Sequence, residues 1–150
     1  MQPAISELLA GLTLEEKAGL CSGADFWHTK AVGRLGIPAM MVSDGPHGLR
    51  TQKEGAGVNE SITAVCFPAG CAAAASFDPD LLRREGEAIG AEARAVGVGV
   101  VLGPAVNIKR SPLCGRNFEY YSEDPCLAGT LAAAYIQGVQ SRGVGTSIKH

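Results

Sequence analysis

Met41-Val42-Ser43-Asp44-Gly45-Pro46-His47-Gly48-Leu49-Arg50 changes character part-way along. The apolar run from Ala39 to Val42 predicts a buried strand over 39–43. Gly45, Pro46 and Gly48 then turn the chain out of that strand. Asp44 is thereby expected at the carboxyl end of a core strand, where α/β folds gather their chemistry. An acid, an imidazole and a guanidinium (Asp44, His47, Arg50) fall within one short turn.

Working downstream, helices and strands alternate. Asp78-Pro79 and Asp124-Pro125 each set an N-capping acid before a proline at the first helical position. The first pair predicts a helix over 79–96 that stops at Gly97, with Leu82, Ile89, Ala93 and Val96 on its buried face. The second predicts a helix over 125–141 that stops at Gly143, with Leu127, Leu131, Ala134 and Gly138 along one stripe. Apolar strand candidates follow at once, 98–102 and 144–148. Strand, helix, strand, helix, strand is the pattern of a parallel sheet with crossover helices.

Between the first strand and the first of these helices, 51–63 reads as an exposed polar loop. Ala64 to Phe67 reads as a short strand stopped by Pro68, and 70–76 as a close-packed helical turn. Upstream, Ile5, Leu8, Leu9 and Leu12 have helical spacing, and Gly11 suits the helix end. Thr13-Leu14-Glu15-Glu16 is a capping box that opens a short helix ended by Gly19 to Gly23. Phe26, Trp27 and His28 fall in irregular chain. Trp27 is read as a loop aromatic packed on a neighbouring element, or else lining a pocket. Gly33 to Pro38 is a turn.

Composition excludes several classes. Of 150 residues, 46% are hydrophobic and 19% charged, which is globular rather than disordered. A net charge of -2, from 13 basic and 15 acidic residues, gives no electrostatic reason to bind nucleic acid or an anionic membrane. No apolar run approaches the roughly 20 residues of a membrane span. The first residues lack a basic and apolar leader, and the five cysteines are odd in number without a CxxC pair. Reduced thiols and a cytoplasmic location are expected. Gly97-Val98-Gly99-Val100-Val101-Leu102-Gly103 is GxGxxxG lying after a helix, so it fails the dinucleotide fingerprint. Its glycines are read as close-packing positions. No HExxH, Cys/His cluster or P-loop is present, so neither metal nor organic cofactor is expected. The loop from Gly103 to Asp124 is long and mixes polar, aromatic and turn residues, which marks it as functional.

Five segments then resemble glycoside hydrolase family 3, in its order: Ser43 to Arg50, Phe67 to Gly70, Arg110 to Glu119, Ser122 to Pro125, and Lys149-His150. The resemblance runs from about Leu8 to His150, and within the family the chain looks most like the β-glucosidases. It implies an α/β fold, the N-terminal half of a (β/α)8-type TIM barrel. It implies a small-molecule β-glucoside or oligosaccharide as partner. By match of motif, Asp44 is similar to the acid that accepts hydrogen bonds from sugar O4 and O6, and Arg50 to the arginine beside it. Arg116 resembles the arginine donating to those hydroxyls, and Lys149 and His150 the pair donating to the middle hydroxyls. Ionised carboxylates accept two O–H bonds and cations donate charge-assisted ones, so the set is chemically coherent.

Simpler roles compete for the same residues. Asp44 caps its own turn, Arg50 is a solvated loop residue, or Arg116 clamps Glu119 or Glu123. Glu119, Glu123 and Asp124 are read as structural, and His47 as a support behind the site or a turn residue. The catalytic pair is the notable omission. A retaining glycosidase needs a nucleophile and an acid/base about 5–5.5 Å apart. In this family both are expected beyond residue 150, so no catalytic residue is assigned. The 150 residues alone are expected to be inactive and to need the rest of the catalytic domain. Asp44 weighs against a β-xylosidase, because a pentose has no O6. A non-catalytic carbohydrate-binding module is the alternative from another class.

Overall fold

Asp78 accepts a hydrogen bond from the Leu81 amide at 3.0 Å and opens α4 (Pro79–Ala95). Asp124 does the same for α5 (Pro125–Gln140), accepting from the Cys126 and Leu127 amides. Both helices end near the expected glycines, Gly97 and Gly143, whose φ angles of 80° and 76° suit only glycine well. The structure, a computed structural model, describes residues 4–53, 55, 57 and 60–150. The chain divides into two units, Met1–Val42 and Ser43–His150.

In the first unit, α1 (Ile5–Gly11) and α2 (Leu14–Leu20) are short. The capping box forms as read: the Thr13 hydroxyl accepts from the Glu16 amide at 3.1 Å, and Glu16 accepts from the Thr13 amide at 2.8 Å. Arg34 Nε also donates to Glu16, at 2.8 Å. The apolar stripe of α1 does not bury as expected. Ile5 and Leu9 are exposed, and only Leu12, just past the helix, is buried. The ring of Trp27 meets Phe26 edge-on with centroids 4.9 Å apart. Gly33–Leu35 forms a single 3-10 turn within the expected turn.

The first strand is shorter and later than expected: β1 is Val42–Asp44. Residues just before it bond to the irregular segment instead. Thr29 N–H donates to Met40 O at 3.0 Å, and His28 bridges Met41. Their backbone groups are thus satisfied outside a sheet, which moves the strand start.

In the second unit, α3 (Gly70–Ala74), α4, β2 (Val100–Leu102), α5 and β3 (Gly145–Thr146) follow β1. The sheet order is β1-β2-β3, and β2 pairs with β3 in parallel, Val100 opposite Gly145 and Val101 opposite Thr146. The expected alternation is therefore present, with each strand shorter than its apolar run. The helices pack closely through glycines. A Cβ on Gly138 would lie 2.2 Å from Arg83 O, and one on Gly86 would lie 2.3 Å from Tyr135 O. Leu82, Ile89, Leu131, Tyr135, Val139 and Val101 are fully buried. On α5, Tyr135, Ala128 and Val139 join Leu131 and Gly138 in the core, while Leu127 and Ala134 are only partly buried. Val96 is exposed, because it caps α4 beyond the turn that packs.

Two loop expectations change. Residues 64–67 form no strand: the Val65 amide donates to the Glu92 carboxylate at 3.2 Å and the Phe67 amide to His47 O at 3.0 Å, so no ladder is built. The stretch 51–63 is not simply an exposed loop. Thr51 is buried, Ile62 N–H donates to Thr51 O at 2.8 Å, and Gln52 bridges Ser61 in antiparallel fashion. Positions 54, 56, 58 and 59 of that stretch lie outside the described residues.

Candidate sugar-binding site

Alternation along β1 sorts its side chains. Ser43 is fully buried and shares a hydrogen bond with the Thr51 hydroxyl at 2.8 Å. Asp44, next along, points the other way and keeps 26% of its side chain exposed. The turn after it closes on itself, since Arg50 N–H donates to Asp44 O at 2.8 Å. Gly48 sits at φ 134°, and a Cβ there would lie 2.5 Å from Val65 O. Tyr135 reaches up from α5 and donates to Gly45 O at 3.2 Å, which fixes the turn on the core.

Two cations hold Asp44, one on each oxygen. Lys149 Nζ donates to Oδ1 at 2.7 Å, and Arg50 Nε lies 3.1 Å from Oδ2. Burial alone would raise the Asp44 pKa. The Lys149 hydrogen bond and charge outweigh it, Arg50 adds to them, and the carboxyl stays below its ordinary value. The nearby Gly45 amide acts in the same direction.

Lys149 is not frayed. Its amide donates to Pro104 O at 3.1 Å, and its carbonyl accepts from Val106 N–H at 2.8 Å. The His150 amide donates to Asn107 Oδ1 at 2.8 Å. The strand end is thus tied to the first residues of the long loop. Peptide bonds 103–104 and 149–150 are cis.

The same loop supplies Arg116. It opens a 3-10 turn, Asn117–Glu119, and its Nε donates to the buried Glu119 carboxylate at 2.5 Å. Lys109 Nζ donates to Tyr120 O at 2.9 Å and secures the end of that turn. Arg116 Nη2 lies 2.7 Å from His150 Nε2, and the Tyr120 hydroxyl lies 3.4 Å from His150 Nδ1. The Glu119 hydrogen bond first, then charge from Glu119, Tyr120 and Asp44, raise the Arg116 pKa.

The five residues expected from sequence form two contacting groups. Asp44 contacts Lys149 and Arg50 directly, Arg116 contacts His150, and the field of Asp44 reaches both Arg116 and His150. Of the five, Lys149 and His150 line a cleft of about 360 Å³, together with Val106, Asn107, Ile108 and Ile148. One carboxylate held between two cationic donors suits a neutral polyhydroxyl ligand. Of the roles competing for Arg116, the clamp on Glu119 is present. His47 sits with its ring edge-on to Phe118, centroids 6.1 Å apart, and its buried Nδ1 has no hydrogen-bond partner. Among the described residues no cluster of three His, Cys, Asp or Glu side chains is placed to hold a metal. No helix there is long and apolar enough to cross a membrane.

Comparison with known proteins decides the family. Residues 7–150 match the model of the glycosyl hydrolase family 3 N-terminal domain. The chain belongs to glycosyl hydrolase family 3. Thermostable β-glucosidase B of Acetivibrio thermocellus is 58% identical over 97% of this chain. An exo-α-(1→6)-L-arabinopyranosidase of Bifidobacterium longum is 52% identical over 93% of it. The chain spans only 20% and 19% of those two relatives. Among solved family 3 structures, β-glucosidase 3B of Thermotoga neapolitana in complex with α-D-glucose superposes with a TM-score of 0.87. It is 42% identical over 97% of this chain and 22% of its own. The Kluyveromyces marxianus β-glucosidase in complex with glucose gives 0.89, at 43% identity over 98% of this chain and 17% of its own. The parallel sheet with crossover helices is thus the TIM-barrel-type N-terminal architecture of family 3 β-glucosidases.

The structure adds two residues in contact with His150 that the sequence did not single out. Asn107 and Tyr120 hold the backbone and ring of His150. Both stand in the long polar loop, and only its length marked them. Glu119, expected to be structural, is buried and holds Arg116, one of the candidate site residues.

Proposed function

We propose that these residues form the grip on a terminal non-reducing β-D-glucosyl residue in the first subsite of a retaining β-glucosidase. The observation that carries this is the Asp44 carboxylate, each oxygen held by a different cation, beside the Arg116–His150 pair. In this reading Asp44 accepts from O4 and O6, with Arg50 beside it. Arg116 donates to the same hydroxyls, and Lys149 and His150 donate to the middle ones. A site of this type rejects a sugar lacking a hydroxyl, because charged groups are left unpaired.

Chemistry then needs a nucleophilic carboxylate and an acid/base supplied by chain beyond His150. The nucleophile attacks the anomeric carbon, the acid protonates the leaving oxygen, and water releases glucose with retention. No cofactor takes part. The unpaired thiols suit a reducing compartment, so the cytoplasm is the proposed location.

A panel of aryl β-glycosides tests the reading, with the full-length protein and the 150-residue chain assayed side by side. The full-length protein should cleave the glucoside best and the chain alone nothing. Turnover by the chain alone would overturn the division of labour. Sugar binding without turnover in the full-length protein would favour a binding module instead. One second reading has a specific basis: the arabinopyranosidase relative is 52% identical, so release of a pentopyranosyl residue belongs in the same panel.

A further inference from the structure

Arg116 and His150 meet in a way that fixes more than position. A guanidinium has only donors, so the His150 nitrogen facing Arg116 Nη2 at 2.7 Å must carry a lone pair. That nitrogen is Nε2. The ring is therefore neutral, with its proton on Nδ1, the side that faces the Tyr120 hydroxyl at 3.4 Å. Arg116 itself has a half-exposed side chain whose one anchoring ion pair is at Nε. There Nε donates at 2.5 Å to Glu119, whose side chain is 8% exposed. Gly70 packs on the backbone of Glu119 so tightly that a Cβ there would lie 2.3 Å from Glu119 O. Glu119 is thus a rigid anchor, Arg116 an arm, and His150 the group at the end of the arm.

We propose that Glu119 is a positioning residue that latches Arg116 onto His150 and so keeps the imidazole neutral, with its proton on Nδ1. The consequence for sugar binding rests on the proposed glucose grip; the latch does not. Protonating His150 turns Nε2 into a donor, breaks the bond from Arg116 and sets two cations against each other. The groups facing the ring are Arg116, Glu119 and Tyr120 of the loop, Lys149 beside it on its own strand end, and Asp44 of β1. Partial desolvation comes first in holding the His150 pKa below its ordinary value. Arg116 and Lys149 act in the same direction, against Glu119 and Asp44.

Glu119 thus has two opposite effects. As a charge it favours imidazolium; as a latch it favours neutral imidazole. Three variants of the full-length protein separate them. E119A and E119D lose the reach to Arg116 Nε, whereas E119Q keeps an acceptor there and loses the charge. Residue-resolved hydrogen–deuterium exchange at the imidazole C2 position, followed by mass spectrometry across pH, reads the midpoint of His150 without any sugar. E119D should raise that midpoint above wild type, E119Q should leave it at or below wild type, and E119A, which loses latch and charge together, should fall between those two. E119D retains the charge and most of the volume, so it serves if E119A fails to fold. An unchanged or lowered midpoint in E119D overturns the latch. Inhibition by glucose is measured on the same variants, and the acid side of its pH profile should move with the midpoint. If the midpoint moves and glucose inhibition does not, the latch stands and the glucose-grip reading falls.

Discussion

Asp44 concentrates the electrostatics of the site in one side chain. Its two ion pairs keep it charged well into acid. Because its folded pKa is lowered, the stability it contributes is present above the unfolded value of 3.8 and is lost as pH falls through the folded value. Replacing it with alanine removes the acceptor and leaves partly buried Lys149 unpaired. With about 1.5–3 kcal/mol for each hydrogen bond to a charged group, Asp44→Ala in the full-length protein should lower kcat/KM by roughly 100-fold or more. Steady-state kinetics on the best aryl glycoside checks it. Asp44→Asn should lose less, since it retains one acceptor. An unchanged kcat/KM in both would remove Asp44 from the site.

At the scale of elements, α4 and α5 are joined through glycine. Gly138 leaves no room for a methyl group against Arg83 O. Gly138→Ala should force the helices apart and destabilise the fold by about 1–3 kcal/mol, the usual cost of overpacking. Thermal unfolding monitored by circular dichroism measures it, and an unchanged Tm would contradict the packing. These helices were also the most legible part of the sequence. Asp-Pro starts and glycine stops are local signals, and they bracketed both helices to within a residue or so. The strands were less legible because their ends depend on which distant backbone group satisfies each amide. Val65 and Phe67 look like strand residues, yet a Glu92 carboxylate and a lone carbonyl take their amides. The five site residues were legible only as motifs. Nothing in their composition says that Lys149 reaches Asp44, since β1, β2 and β3 must pair before they meet.

For the whole molecule, the most consequential misfit is Glu85. It lies three residues after Leu82 and four before Ile89, on the buried face of α4, and is 8% exposed. Helical spacing alone could have flagged it. It borders a cavity of about 270 Å³ with Phe67, Pro68, Ala72, Ala73, Leu81 and Arg84. Among the described residues no side chain is hydrogen-bonded or ion-paired to it. Burial pushes its pKa from 4.5 up to about 7. A raised folded value means the native state holds the proton that the unfolded state releases. Stability is therefore full below about 4.5 and declines as pH rises to about 7. The span corresponds to about 3 kcal/mol, an order-of-magnitude figure. Glu85→Gln should flatten that decline and raise the Tm at pH 8, measured by thermal unfolding across pH. A Tm that falls at pH 8 would show that the charge is accommodated.

The contact between Lys149 and Asp44 joins residues 105 positions apart. A nascent chain that has emerged only as far as α5 holds Asp44 with Arg50 alone beside it. The acceptor is in place from the first strand, and its second cation arrives only when β3 docks. Ring closure over so long a span is entropically costly and slow relative to local helix formation. In the proposed sugar grip, an intact Asp44–Lys149 bond therefore reports that β3 has docked.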